Sequence, residues 1–470
     1  MVKIPLRLEE LIPAAAMEKL FEVLQQPDIS GKVREAIQRV GLHESSPLDK
    51  VSKAWHQARS WLDTLTGDQA GTAGPTTLNA SGQLLSASLA GIPLAAAVAY
   101  GFAKGATGYQ SASGVLSKAD AAAKPLFGNR AYAWLASPAD ALRCLTDADI
   151  SAAGTLLSRV DAVRIAGLGD IRSMLASGGK TPTEVGAANG VTADDWANAL
   201  QAGGPTVVLA SPNNISHGEA GTHRSQAITA AHAHGAKVIE VLADGVLCPT
   251  LTTQYGFPDP RQSLADGVDV VILPLNLLLG APAGALVIGD SERVTKARRA
   301  AELSGALLGG AQLIAATLAL QLSAMHSETD SGAVAQLLTN PENLKNRARR
   351  LAIQLTGIGA IETAVEHESH IALGPSPWNR YQHQSWGVRL APKVTPSKEP
   401  VADMLRQLAQ GEAKLGLTLQ LVRQADYLLM DLRFVPPQHD HQLVALWGGG
   451  DQAMPATEDS QAPPQPEQDL

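Results

Sequence analysis

Between residues 76 and 330 this sequence alternates short β-rich runs with helical runs, and that alternation restricts the possible folds more than any other feature. The β-rich runs lie at 131–135, 155–157, 207–210, 237–241, 268–273 and 285–288. Such alternation predicts an α/β fold with a mostly parallel sheet and helices on both faces. Only residues 274–284 join the last two runs, too few for a crossover helix, so we expect that pair to be antiparallel.

The rest of the chain divides by composition into further regions. Apolar residues recur at helical spacing in 1–66, which predicts an N-terminal helical region, and the Gly-rich stretch 67–75 reads as a linker. Strand candidates at 370–373, 386–390, 417–422 and 427–432 predict a small α+β domain over 331–448, after a large domain over 76–330. Residues 449–470 are rich in Pro, Gln and acids, so we expect a disordered tail.

Charge and cysteine content bear on partners and location. The formal net charge is -8, and residues 1–66 hold nine Lys and Arg against nine acids, so no basic surplus favours a tRNA partner. There are 2 cysteines, and the N-terminus lacks an uninterrupted apolar core. We therefore expect a cytoplasmic protein without a disulfide framework, a signal peptide or a membrane span.

Six short motifs follow one another along residues 76–445. They read Thr77-Leu-Asn-Ala-Ser-Gly82, Glu184-Val-Gly-Ala-Ala-Asn189, Ser211-Pro-Asn213 with Gly218, Gln254-Tyr-Gly-Phe-Pro258, Leu277-Leu-Leu-Gly280 with Gly284, and Tyr427 to Arg433. In order and spacing they resemble the bacterial selenocysteine synthases, the L-seryl-tRNA(Sec) selenium transferases. The resemblance implies the fold-type-I fold of enzymes that use pyridoxal phosphate (PLP), with a seven-stranded sheet, and a homodimer or ring of dimers.

The resemblance fails at the residues that perform the family's chemistry. A PLP enzyme needs a lysine bonded to the cofactor, a carboxylate at the pyridine nitrogen and donors for the phosphate. The family's lysine position is Asn276 here, and its carboxylate position is Val241. Asp244 follows three residues later, and because side chains alternate along a strand we expect it to point elsewhere. The family's anion-binding arginines fall at Gly190, Ser304 and Leu307.

These losses predict a degenerate member of the family that has no catalytic residues and takes no cofactor. We expect a pseudoenzyme acting as a binding or scaffold protein through the old cleft, which would be lined by Asn189, Asn213 and Asp244, or through a dimer surface around 84–103. The alternative is an active transferase or lyase with a relocated lysine. Its candidates are Lys104, Lys180 and Lys237, although Lys237 opens its strand and so lies at the wrong end.

Other polar groups have simpler interpretations. His232 and His234 stand two residues apart on a predicted helix and do not share a face, and no Cys accompanies His439 or His441, so no metal site is expected. Four basic residues are predicted to form a solvated helix face: Lys345, Arg347, Arg349 and Arg350.

Overall fold

The computed structural model describes residues 76–85, 89, 91–148, 154–162, 164–165, 169–176, 181–187, 190–201, 206–210, 220–324, 332–372, 383–394 and 399–448. The chain divides into two compact units between Pro75 and Thr76, and the second unit contains every described residue. The predicted helical region 1–66 and tail 449–470 therefore lie outside the described part, and both stay predictions. Within the described part, no helix is long and apolar enough to cross a membrane.

The described strands, in chain order, are β1 Thr76–Ala80, β2 Ala131–Leu135, β3 Thr155–Ser158, β4 Arg164–Ile165, β5 Gly169–Asp170, β6 Thr183–Val185, β7 Thr206–Ala210, β8 Lys237–Val241, β9 Val270–Pro274, β10 Ala285–Gly289, β11 Ile361–Ile371, β12 His383–Pro392, β13 Leu417–Arg423 and β14 Leu428–Asp431. The described α-helices are α1 Ala96–Ala106, α2 Ala112–Phe127, α3 Pro138–Ala148, α4 Ile171–Ala176, α5 Ala193–Leu200, α6 Ala220–Ala233, α7 Pro249–Tyr255, α8 Pro260–Ala265, α9 Ser291–Ser304, α10 Gly310–Ala324, α11 Gly332–Leu337, α12 Pro341–Leu355, α13 Pro400–Leu415 and α14 Asp440–Ala445.

The large sheet has seven strands in the order β2-β10-β9-β8-β7-β3-β6. All six strands predicted from the sequence are present, and β6 is the seventh. Strand β10 runs antiparallel to both β9 and β2, as the short connection predicts, and the other pairs are parallel. Alternate residues of the central strands enter different core layers: Ile239 and Val241 pack in one layer and Val238 in the other. The α/β fold class is therefore confirmed.

A second sheet of five strands has the order β1-β13-β14-β12-β11. The first strand of the described chain, β1, pairs in parallel with β13, and the hydroxyls of Thr77 and Thr418 lie 2.6 Å apart. Residues 76–80 thus join the small sheet rather than the large sheet of the domain predicted over 76–330. The apolar pattern of β1 fits either sheet, and only the hydrogen-bonding partner decides between them.

The prediction of a solvated basic face on α12 is wrong for Arg347. This side chain is buried, with 5% of its surface exposed. Its guanidinium forms an ion pair with Asp440 at 2.5 Å and donates to the carbonyl oxygens of Leu432 and Val435 at 3.1 and 2.7 Å. Arg347 therefore anchors α12 to the segment after β14, because a buried guanidinium needs acceptors for its donors.

Candidate functional site

The carboxyl ends of β7, β8 and β9 meet at one edge of the large sheet. These strands are parallel, and Ala210, Val241 and Ile272 lie side by side in register. Val241 is the last residue of β8 and is completely buried in the apolar core. In open α/β sheets ligands bind at this edge, so Val241 is at the expected place for a functional group but has no polar atom in its side chain.

Asn276 lies two residues beyond the end of β9, in a turn made mostly of leucines. Leu275, Leu277, Leu278 and Leu279 are all buried, while Asn276 is partly exposed. The turn closes where the Leu275 N–H donates to the carbonyl oxygen of Gly284. A Cβ at Gly284 would lie 2.6 Å from Leu308, so glycine is required by close packing there. The turn therefore presents an amide side chain at the sheet edge.

Asp244 lies in the turn that follows β8. The Leu242 N–H still bonds to Ile272, and the Gly245 N–H then donates to the Leu242 carbonyl oxygen. The expectation based on alternation along a strand therefore does not apply to Asp244, because the chain has already turned. The side chain is 1% exposed, which places a buried carboxyl group close to the carboxyl end of β8.

Two of the three candidate lysines lie in the part of the chain that the structure describes. Lys237 begins β8 and forms an ion pair with Asp269 at 2.8 Å, so the prediction that it lies at the opposite end is confirmed. Lys104 is exposed on α1, and Lys180 lies outside the described residues. The chain contains no lysine between residues 242 and 284, the stretch that includes the segments following β8 and β9.

A buried histidine that the sequence analysis missed lies beside the Gln254–Pro258 motif. Helix α7 ends at Tyr255 and is capped by Gly256, whose φ of 72° suits glycine. Tyr255 and Phe257, on either side of this glycine, contact the imidazole of His383. The ring centroids lie 4.1 and 5.6 Å from that of His383. His383 is 5% exposed and neither ring nitrogen has a hydrogen-bond partner. Burial and the nearby charge of Arg433 lower the pKa of His383 to about 4.

The Tyr427–Arg433 motif forms a buried polar cluster. Asp431 accepts hydrogen bonds from the hydroxyls of Ser369 and Ser385 and from the Arg433 N–H, at 2.5, 3.0 and 2.9 Å. Burial nevertheless raises the pKa of Asp431 above its ordinary value. A Cβ on Gly82 would lie 3.5 Å from Asp431, so the first and last motifs meet here.

The Arg433 guanidinium is engaged by the main chain. It donates to the carbonyl oxygens of Leu337, Thr339 and Gln384 at 2.7, 2.9 and 2.7 Å. These bonds link α11 and the residues after it to β12. Arg433 therefore performs a structural role in this conformation.

Asn189 and Asn213, two of the residues predicted to line the cleft, lie outside the described part of the chain. Ser304 accepts a hydrogen bond from Arg143 at 3.3 Å, so an arginine does reach that position from α3. Leu307 is 39% exposed, and its backbone forms an isolated antiparallel β-bridge with Leu135. No group of metal-binding side chains occurs among the residues that the structure describes.

A seven-stranded sheet with one antiparallel strand, together with a small sheet that is antiparallel except for the β1–β13 pair, is the architecture of the fold-type-I PLP-dependent transferase fold. The family model "SelA: L-seryl-tRNA selenium transferase" matches residues 128–434, and this chain belongs to that family.

Curated relatives are similar over part of their length. The chain is 26% identical over 271 residues to the L-seryl-tRNA(Sec) selenium transferase of Hyphomonas neptunium, covering 54% of this chain and 58% of that protein. It is 28% identical over 220 residues to the enzyme of the same name from Desulfomicrobium baculatum, covering 44% and 46%. The chain thus spans about half the length of the curated relatives it matches.

A solved structure of D-glucosaminate-6-phosphate ammonia-lyase matches the fold, with a TM-score of 0.57 and 14% identity over 79% of this chain and 94% of that one. A structure of SPT with PLP also matches, with a TM-score of 0.40 and 14% identity over 79% and 86%. At this identity both likenesses concern the fold alone.

The expectation that this chain takes no cofactor is wrong, because the chain belongs to a PLP-dependent family. Asn276 has no amine with which to attach a cofactor, and the chain from 242 to 284 contains no lysine. Covalent attachment and cofactor binding depend on different residues, so the loss of the first does not imply the loss of the second.

Proposed function

We propose that this SelA-family protein binds a ligand in its cleft without performing the family's transfer reaction. The observation that carries the proposal is Asn276, at the turn after β9. A carboxamide nitrogen shares its lone pair with the carbonyl group, so it does not form the covalent bond to an aldehyde that a lysine amine forms. The proposal concerns this covalent bond.

Val241 supports the same proposal from the neighbouring strand. The ring nitrogen of PLP needs a carboxylate to stay protonated, and a completely buried valine offers neither charge nor hydrogen bond. In such a site the cofactor would not become an effective electron sink. A pseudoenzyme that acts as a binding or scaffold protein is therefore the function we propose.

Substitution of residue 276 tests the proposal. Wild type, Asn276→Lys and the control Asn276→Gln are incubated with PLP, reduced with borohydride, digested and mapped by mass spectrometry. We expect stoichiometric labelling at residue 276 in the lysine variant alone, and only scattered labelling of surface lysines in wild type and control. Stoichiometric labelling of one native lysine in wild type would contradict the proposal.

An active transferase with relocated residues is the second candidate. The buried carboxyl group of Asp244, close to the carboxyl end of β8, favours it because it could replace the carboxylate absent at Val241. Such an enzyme still needs a lysine, and the labelling experiment would find it at Lys104 or Lys180.

For partners, we propose a homodimer or ring of dimers and no tRNA. Helix α1 buries Val98, Gly101 and Gly105, and a Cβ at Gly101 would lie 2.1 Å from Leu318 of α10. Packing within the chain thus accounts for part of the apolar character that suggested an interface. Tyr100 remains 58% exposed on the same helix. Light scattering at micromolar concentration tests the dimer, and a monomer would contradict it.

A further inference from the structure

An open cavity of about 660 Å³ lies beside β3 and β6, and β6 is the edge strand of the large sheet. We call it the arginine pocket, and the residues that matter here are Arg159, Asp170, Arg172, Ser173, Thr181 and Glu184. Strands β8 and β7 separate β9 from β3, so the pocket lies about 15 Å from the strand that leads to Asn276. It is thus separate from the site described above.

One carboxylate orients two guanidinium groups in this pocket. Glu184 bonds to Nε of Arg159 through one oxygen and to Nε of Arg172 through the other, each at 3.1 Å. Both ion pairs use Nε, which leaves the outer Nη groups for a further partner. The arginine side chains are 53% and 56% exposed, whereas Glu184 is 21% exposed, so the guanidiniums face solvent from a partly buried support.

The charged groups that line the pocket balance, and a third arginine lies next to it. Asp170 is held as a carboxylate, because hydrogen bonds with Ser173 and the charges of Arg172 and Arg164 lower its pKa. Arg159 and Arg172 offset Asp170 and Glu184, and Arg164, directly across from Asp170 in the β4–β5 pair, adds one positive charge. With Arg164 included the local charge is +1, in a chain whose net charge is -8. An anion therefore meets no local excess of negative charge here.

We propose that the arginine pocket binds the phosphate group of a small molecule. Planar guanidiniums match the oxygens of a phosphate through paired N–H bonds, and charge-assisted bonds of this kind are the strong ones. Because Glu184 already fixes both side chains, little conformational entropy is lost on binding. The Thr181 side chain lines the same pocket and adds a hydroxyl group suited to a remaining oxygen, whereas the Ser173 hydroxyl is already bonded to Asp170.

Calorimetric titration of the full chain with inorganic phosphate, at constant ionic strength set with chloride, tests the proposal. We expect saturable binding to wild type that weakens about tenfold or more in Arg159→Gln and in Arg172→Gln, since each loses a charge-assisted bond. Arg298→Gln is the matched control: this arginine is also exposed and paired with an acid, Glu302, but lies on α9, and binding should be unchanged. A melting curve without phosphate checks that each variant is folded.

The outcomes separate the possible sources of the phosphate. Equal affinity in wild type and both pocket variants, or no saturable binding to folded wild type, would overturn the proposal. A short single-stranded oligonucleotide serves as the second probe. If it bound more tightly than inorganic phosphate and lost affinity in the same two variants, the pocket would be a nucleic-acid contact and the small-molecule proposal would be wrong.

Discussion

Charged groups near the amino ends of β8 and β9 have partners of opposite charge, whereas the buried imidazole of His383 on β12 has no hydrogen-bond partner among the described residues. The Asp269 carboxylate contacts the Lys237 ammonium group at 2.8 Å and the His232 imidazole at 3.0 Å. Burial alone would raise the pKa of Asp269, but its hydrogen bonds hold that pKa below the ordinary value. The amino side thus has the properties of a structural ion-pair network.

Arg224 and Glu240 form a second ion pair, between α6 and β8. Arg224 forms two bonds with Glu240 at 2.6 and 2.9 Å and one with Asp266 at 2.8 Å. His383 is buried as well, but its two ring nitrogens lack hydrogen-bond partners among the described residues. The comparison teaches that the buried Glu240 is paired with an arginine, whereas burial and the charge of Arg433 favour the neutral form of His383.

The largest expected effect comes from breaking the Arg224–Glu240 pair. Glu240 is 1% exposed, so Arg224→Met leaves a buried carboxylate without its main partner and should cost about 3–5 kcal/mol of unfolding free energy. Urea denaturation measures it. The double variant Arg224→Met, Glu240→Leu should recover most of the loss, because no charge is then buried. A loss below about 1 kcal/mol in the single variant would show that the network is not structural.

A smaller loss of stability is expected from protonation of His383, which is buried as a neutral ring rather than as part of an ion pair. Its folded pKa of about 4 lies below the value of 6.5 typical of an exposed histidine. Folding therefore favours the neutral ring, and the stability this provides is complete above about pH 6.5 and is lost as the pH falls toward 4. Between about pH 7.5 and pH 5, wild type should lose about 2 kcal/mol more than His383→Phe. Urea denaturation at both pH values measures this, and equal losses of unfolding free energy in wild type and His383→Phe would refute it.

The smallest effect is expected at Lys237. Its side chain is 42% exposed, and Asp269 keeps the Val238 N–H and His232 as partners when Lys237→Met removes the ammonium group. We expect a loss of about 0.5 kcal/mol that shrinks at high salt. Lys296→Met, which removes an exposed pair with Glu292 on α9, is the control and should be neutral. A loss as large as that of Arg224→Met would mean that burial does not determine how much each ion pair contributes to the unfolding free energy.

The sequence alone predicted six of the seven strands of the large sheet. The central strands β7, β9 and β10 are short runs buried along their whole length, so their composition signals them strongly, whereas β6 has only three residues and was missed. The length of 274–284 predicted the direction of β10 relative to β9. The motif order also identified the family, since glycines such as Gly284 are retained where the backbone packs closely. The identities at 241 and 276 are likewise sequence facts, although their roles stay predictions.

Only the tertiary structure decided which partners distant residues meet. Strand β1 joins the small sheet through β13, Arg347 is buried against Asp440, and His383 lies between Tyr255 and Phe257. In each case a local pattern was compatible with several environments. Glu184 likewise reads as a motif residue in sequence, and only folding places it between Arg159 and Arg172. The physical reason is that periodicity records which face of an element is buried, whereas hydrogen bonds and ion pairs depend on contacts between elements far apart in the chain.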